Sequence, residues 1–212
     1  MKTDDLIEAL SLDVAPAAGV RPRLAGAAGA GAVVAFALVA LWLGFRPDYP
    51  AAFGKPMFWM KAIYAALIAL GGFWCVDQLA RPAGSGRKGV TFVLVVFGLI
   101  CLAALVRWFI TPAEDRMPLL MGQSWRVCPR NILALSLPIL AATLVVVRRL
   151  APTRLVLAGA AAGLFSGGVA AVVYGLHCPE STMPFVAVWY SLGISAPVVI
   201  GAVLGPWALR WR

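Results

Sequence analysis

Six long apolar stretches constrain this chain more than any other feature. They cover approximately residues 24–45, 57–79, 90–110, 132–147, 155–176 and 185–204. A helix rises about 1.5 Å per residue, so about 20 apolar residues cross a hydrocarbon core of roughly 30 Å. These runs are apolar on every face, whereas the strands of a membrane barrel alternate apolar and polar side chains. The sequence therefore predicts an all-α, polytopic membrane bundle of six transmembrane helices arranged in three hairpins.

The composition agrees with this fold class. Hydrophobic residues make up 62% of the chain and charged residues 13%, against about 25% charged residues in soluble domains. A soluble domain and a disordered chain are both excluded. The fourth run is the shortest and contains Pro138, so we expect that helix to be kinked or extended into its flanks.

The distribution of basic residues predicts the orientation. Of the 18 Lys and Arg residues, 11 lie on the side of the two termini: Lys2, Arg21, Arg23, Arg81, Arg87, Lys88, Arg148, Arg149, Arg154, Arg210 and Arg212. The opposite side has the other seven: Arg46, Lys55, Lys61, Arg107, Arg116, Arg126 and Arg130. The positive-inside rule places both termini in the cytoplasm. The net charge of +9 is thereby explained by topology, without nucleic acid.

Few ionisable residues lie at membrane depth. Asp77, Lys61 and Arg107 are near predicted span ends, where snorkelling or headgroup contact explains them. Because transport pathways usually carry charged groups at mid-membrane, a small-solute transporter is disfavoured.

Small residues recur at four-residue spacing in the last two spans. Gly159, Gly163 and Gly167 form two GxxxG steps, and the sixth span repeats the spacing at Gly193, Pro197, Gly201 and Gly205. Such faces let helix backbones approach closely. They indicate either packing between neighbouring spans or a homodimer face through Gly159, Gly163 and Gly167.

The four cysteines divide by topology. Cys75 and Cys101 fall within spans, where a thiol behaves as a small apolar group. Cys128 and Cys178 fall at the outer surface, which is oxidising in the periplasm. Of the three complete pairings of four cysteines, only a Cys128–Cys178 bond needs no cysteine from the membrane interior or the inner end. That bond would act either as a permanent staple or as part of a sensor.

Three features favour sensing over a staple. His177 precedes Cys178 and can provide a further metal ligand, and Glu180 adds an oxygen. Arg126 and Arg130 flank Cys128 and favour its thiolate. The set Cys128, Cys178 and His177 is therefore a candidate site for a thiophilic metal, although no CxxC or HxxxH spacing accompanies it.

The N-terminal segment is the second candidate site. A short helix with Asp4 and Asp5 in its first turn complements the positive helix end. Leu6, Ile7 and Leu10 then share one apolar face. A helix this short needs a docking partner, and its acidic residues favour a basic protein partner over anionic lipid. Residues 15–23, with two prolines and a glycine, form a linker.

The chain resembles the NrsF family of bacterial six-span inner-membrane proteins. The resemblance is carried by residues 1–10 (MKTDDLIEAL), 128–138 (CPRNILALSLP), 148–154 (RRLAPTR), 176–180 (LHCPE) and 185–190 (FVAVWY). It implies a negative regulator of an extracytoplasmic-function sigma factor, and it implies that the N-terminal segment holds this sigma factor at the membrane. The residues expected to bind the sigma factor are Asp4, Asp5, Leu6, Ile7 and Leu10. The resemblance also implies that Cys128 and Cys178 take part in signal perception.

These observations predict a regulator of transcription in the bacterial inner membrane, not an enzyme, with no cofactor and no direct contact to nucleic acid. Residues 1–23 form the cytoplasmic helix and linker, 24–207 the transmembrane domain and 208–212 a cytoplasmic tail. The alternative from another class is a thiol–disulfide or quinone oxidoreductase. Against it, neither outer cysteine belongs to a CxxC pair.

Overall fold

The computed structural model describes residues 19–46, 48–81 and 84–210, together with Thr3. The candidate sigma-factor-binding residues Asp4, Asp5, Leu6, Ile7 and Leu10 lie outside the described residues. The predicted N-terminal helix and most of the linker therefore stay predictions from sequence.

Six long helices form the described molecule: α1 (Val20–Leu43), α2 (Pro56–Leu79), α3 (Arg87–Ile110), α4 (Cys128–Arg148), α5 (Leu155–Tyr174) and α6 (Met183–Ala208). Each is long and apolar enough to cross a membrane, and the described residues include no β-strand. Two short helices, Tyr49–Ala52 and Ala113–Met121, lie in the connections after α1 and α3. The predicted all-α bundle of six spans is confirmed.

Helix α4 departs most from its predicted range of 132–147. It begins four residues earlier, at Cys128, and continues through Pro138 to Arg148. Pro129 occupies the first turn, where the missing backbone N–H has no partner to lose. The expected extension of the fourth span into its flanks is confirmed, and it makes Cys128 the first residue of a membrane helix.

Two of the long helices contain a π-helical segment. In α1 this segment covers Val39–Leu43 and ends at Gly44, whose φ of +77° lies in the left-handed region that favours glycine. In α6 it covers Val186–Tyr190. Such segments occur often near functional sites because they shift the facing of side chains, and the second one ends at Tyr190, beside the cysteines.

Helix α5 lies at the centre of the bundle and packs against α2, α4 and α6. A Cβ on Gly159 would meet the carbonyl oxygen of Gly201, and one on Gly163 would meet the carbonyl oxygen of Pro197. A Cβ on Gly167 would lie 3.0 Å from the carbonyl oxygen of Ile194. The expectation of a homodimer face through Gly159, Gly163 and Gly167 is wrong for this arrangement, because α6 of the same chain covers all three.

The two ends of the bundle differ in character. The end with Cys128 and Cys178, here the cysteine end, carries the connections α1–α2, α3–α4 and α5–α6. The opposite end, here the basic end, presents nine exposed cations in its described residues: Arg21, Arg23, Arg81, Arg87, Lys88, Arg148, Arg149, Arg154 and Arg210. The candidate site is therefore built from loops of all three hairpins.

Candidate functional site at the cysteine end

The structure brings Cys128 and Cys178 together. Cys128 begins α4 and Cys178 lies in the α5–α6 connection, and both thiols are free and fully buried. Both side chains belong to one buried core cluster and lie close enough to act on each other. Burial closes the pair to large reagents, so only small reactants reach it while the loops stay in place.

His177 does not join this pair. Its Nδ1 donates to the carbonyl oxygen of Gly44 at 2.8 Å, and its ring packs 5.6 Å from that of Tyr174. The described residues hold no group of three His, Cys, Asp or Glu side chains placed to bind a metal ion. The expected set of Cys128, Cys178 and His177 is not formed, because the histidine instead anchors its loop to the end of α1.

Lys61 is the largest departure from the sequence-based expectation. Its side chain is 1% exposed, and it lies inside the bundle instead of snorkelling to the surface. Nζ donates to the carbonyl oxygens of Cys178 at 2.8 Å and Glu180 at 3.2 Å. It also lies 5.7 Å from the centre of the Tyr190 ring, within cation–π range. Lys61 thus holds the backbone of the Cys178 loop from α2.

Arg46 holds the same loop from the other side. Its guanidinium donates to the carbonyl oxygens of Cys178 and Pro179, both at 3.4 Å. It is 5% exposed and pairs with the carboxylate of Asp48 at 2.6 Å and 2.9 Å. Hydrogen bonds from Arg46 and then Lys55 hold the pKa of Asp48 well below its usual range.

Glu180 ties the Cys178 loop to the segment that leads into α4. One carboxylate oxygen, Oε1, accepts the backbone N–H groups of Gln123 at 2.7 Å and Ser124 at 3.0 Å. The same oxygen accepts the Ser124 hydroxyl at 3.0 Å. Because the Cys128 N–H donates to the Ser124 carbonyl oxygen, this carboxylate fixes both cysteines relative to each other.

The surroundings of Cys178 favour its thiolate. The pKa of Cys178 lies below its usual range, chiefly because the Cys128 thiol donates to it. The Lys61 ammonium and the Tyr190 hydroxyl act in the same direction, while burial opposes them. A thiolate is the reactive form in oxidation and exchange, so Cys178 is the better nucleophile of the pair.

The basic end contains a second buried charge. Asp77 is 5% exposed, and its Oδ2 accepts Nε and Nη2 of Arg21, both at 3.3 Å. Arg81 Nη2 lies 3.5 Å from Oδ1. The expected headgroup contact of Asp77 is wrong, because the carboxylate pairs with two arginines of the chain and connects α1 to α2.

Sequence reasoning missed the inward roles of Lys61 and Arg46. A usable signal was present: Lys61 is the fifth residue of an apolar run, with Tyr64 and Ile68 following on the same helical face. Ionisable groups within membrane helices usually face the bundle interior. That rule identifies Lys61 as a functional candidate, although it does not name Cys178 as its neighbour.

The chain matches known proteins over its full length. The family described as "Negative regulator of sigma F" (NrsF) matches residues 9–211. The anti-sigma-F factor NrsF of Caulobacter vibrioides is 50% identical, and the match covers the whole of both chains. A probable anti-sigma-F factor NrsF of Azospira oryzae is 42% identical, again over both full chains. No solved structure matches the chain.

Proposed function

The chain belongs to the NrsF family, and we propose that it is a membrane-bound anti-sigma factor whose cysteine pair senses an oxidant outside the cytoplasm. In the resting state it holds an extracytoplasmic-function sigma factor at the inner membrane. Oxidation of the pair releases the sigma factor. The single observation that carries the sensing role is the buried contact between the Cys128 and Cys178 thiols.

The chemistry of the pair requires one small two-electron oxidant, such as a hydroperoxide. The Cys178 thiolate attacks the peroxide oxygen, which gives a sulfenic acid and leaves an alcohol. The Cys128 thiol then attacks that sulfur, the disulfide forms and water leaves. Two thiols and one hydroperoxide thus yield one disulfide, one alcohol and one water. An oxidant fits the geometry better than a metal ion, because His177 is directed to Gly44.

The exposed charges support the orientation that this proposal requires. The basic end presents nine exposed cations in its described residues, whereas Arg46 and Lys61 of the cysteine end are buried and bound to backbone carbonyls. Discounting those two increases the positive-inside asymmetry. The basic end with both termini then faces the cytoplasm, and the cysteine pair faces the periplasm.

Helix α2 is the element that we expect to carry the change across the membrane. Lys61 near its beginning holds the Cys178 loop, and Asp77 near its end holds Arg21. The two residues are separated by about 24 Å at 1.5 Å per residue. Arg21 follows directly on the N-terminal segment, so movement of α2 reaches the base of the segment that binds the sigma factor.

The N-terminal segment supplies the binding surface in this proposal. Asp4 and Asp5 pair with basic side chains of the sigma factor, while Leu6, Ile7 and Leu10 enter an apolar groove. The experiment is affinity purification from membranes of the native host, with the full chain and with a variant lacking residues 2–14. A sigma factor should copurify with the full chain and not with the variant. The full chain and the variant should both be found in the membrane fraction. Equal capture by both would contradict the role of the segment.

The sensing role has a separate test. Because one disulfide needs both sulfurs, Cys128→Ser and Cys178→Ser should abolish oxidant-induced transcription from sigma-dependent promoters to the same extent. Cys101→Ser, at a half-buried thiol away from the pair, serves as the control and should respond normally. Normal induction in either serine variant of the pair would contradict a sensing disulfide.

A further inference from the structure

Lys61 is a buried cation without a carboxylate counter-ion among the described residues. The ion pairs of the described chain join Arg21 and Arg81 to Asp77, and Arg46 and Lys55 to Asp48. Lys61 contacts instead two backbone carbonyls and the face of Tyr190. Neutral dipoles compensate a buried ammonium only in part, and an opposite charge nearby lowers its energy further.

The groups that can provide that charge are the two thiols. We propose that Lys61 is the positioning residue of the cysteine pair: its ammonium provides the counter-charge that keeps Cys178 a thiolate, and so makes Cys178 the sulfur that reacts first with the oxidant. Cys128 is then the resolving thiol, because it is the other free thiol of the buried pair. The biological role of this proposal rests on the proposed sensing function. The chemistry itself can be tested in the purified protein without a sigma factor.

Position supports this assignment as well as charge. Nζ donates to the carbonyl oxygen of Cys178 at 2.8 Å, so the ammonium is hydrogen-bonded to the same residue whose thiolate it stabilises. Lys61 is part of helix α2, whereas Cys178 lies in the connection between α5 and α6. The Cys178 N–H still donates to the Tyr174 carbonyl oxygen at the end of α5. The lysine therefore sets both the charge and the place of the nucleophile.

Every packed element contributes a group to this environment. The titratable and charged groups facing Lys61 and Cys178 are Arg46 from the α1–α2 connection, Cys128 from α4, Tyr174 from α5, Tyr190 from α6 and Glu180 from the α5–α6 connection. Arg46 is already neutralised by Asp48. The Glu180 carboxylate accepts the Gln123 and Ser124 donors, and its charge acts on Lys61 less than either thiolate would, which leaves the thiols as the main partners of Lys61.

The test uses full-length protein in detergent with Cys75 and Cys101 replaced by alanine, so that only the pair reacts. The rate of disulfide formation with excess hydrogen peroxide is measured against pH by counting free thiols after quenching and unfolding. Lys61→Gln keeps a donor for the carbonyls and removes the charge, whereas Lys61→Arg keeps the charge. With Lys61→Gln the midpoint should rise by about one pH unit, and the rate at a pH below both midpoints should fall about tenfold. Lys61→Arg should stay within about threefold of the parent protein.

Three results would overturn the proposal. The first is a Lys61→Gln profile equal to that of the parent, which would reduce the lysine to a donor of hydrogen bonds. The second is an equal loss in both variants, which would show that only packing matters. The third concerns the unsubstituted lysine and needs no Lys61 variant to fold: thiolate absorbance at 240 nm should titrate below pH 8 in the parent protein and vanish in Cys178→Ser. Absence of that step overturns the assignment, whether or not a sigma factor is ever released.

Discussion

Glu180 shows how one side chain can set the distance between two reactive thiols. Its Oε1 accepts three hydrogen bonds from Gln123 and Ser124, four to five residues before Cys128. Hydrogen bonds to a charged group contribute about 1.5–3 kcal/mol when well formed. The loop that carries Cys178 therefore depends on this carboxylate for its place beside α4.

Replacing this carboxylate should separate the thiols. We expect Glu180→Ala to slow disulfide formation with hydrogen peroxide at least tenfold, because the two loops lose their common anchor. Glu180→Gln should be affected less, since its amide oxygen still accepts hydrogen bonds. The measurement is the initial rate in purified protein, with Glu114→Ala as a control that removes an exposed carboxylate of the same end. Equal rates for Glu180→Ala and Glu114→Ala would contradict this role.

The predicted surface positions of Lys61 and Asp77 were wrong for a physical reason. Sequence position gives the depth of a residue along a membrane helix, but its burial depends on the rotation of that helix about its axis. Helix α2 is apolar on nearly all faces, so its sequence does not state which face turns inward. The backbone of α2 at Ala69 packs closely against Gly168 of α5. This contact sets the rotation of α2 about its axis and directs Lys61 toward the Cys178 loop.

The contact between α5 and α6 depends on glycine at several positions. A Cβ on Gly163 would meet the backbone carbonyl of Pro197, which cannot move aside as a flexible side chain can. Overpacking of this kind costs about 1–3 kcal/mol. The four-residue spacing in the sequence identified the close-packed face, but a spacing does not state whether the partner helix belongs to the same chain.

We expect Gly163→Ala to lower the thermal unfolding temperature in detergent by several degrees, although alanine favours a helix by about 1 kcal/mol over glycine. Gly98→Ala is the matched control, because Gly98 lies on an exposed face of α3 with open space where a Cβ would be placed. That variant should unfold at the same temperature as the parent or slightly higher. A Gly163→Ala protein as stable as Gly98→Ala would contradict the close contact with Pro197.

The number and order of the spans could be predicted for the whole chain, because the need to satisfy backbone groups in lipid leaves few alternatives. The proximity of Cys128 and Cys178 was also within reach, since both fall at the same end of adjacent hairpins. The loop contacts of Arg46, Lys61 and Glu180 were not, because each joins positions separated by 56 to 133 residues and depends on how three hairpins meet.

Orientation decides whether the molecule can act as proposed, since the cysteine pair needs an oxidising compartment and the N-terminal segment needs the cytoplasm. Ser85 at the basic end and Ser181 at the cysteine end are both exposed and form a matched pair of labelling sites. In a variant with all four cysteines replaced by alanine, Ser181→Cys should react with a membrane-impermeant maleimide in intact spheroplasts. Ser85→Cys should react only after detergent is added, because the positive-inside rule places the nine exposed cations of its end in the cytoplasm. The reverse labelling pattern would put the thiol pair in a reducing compartment and the N-terminal segment away from any sigma factor, and both parts of the proposed function would then be wrong.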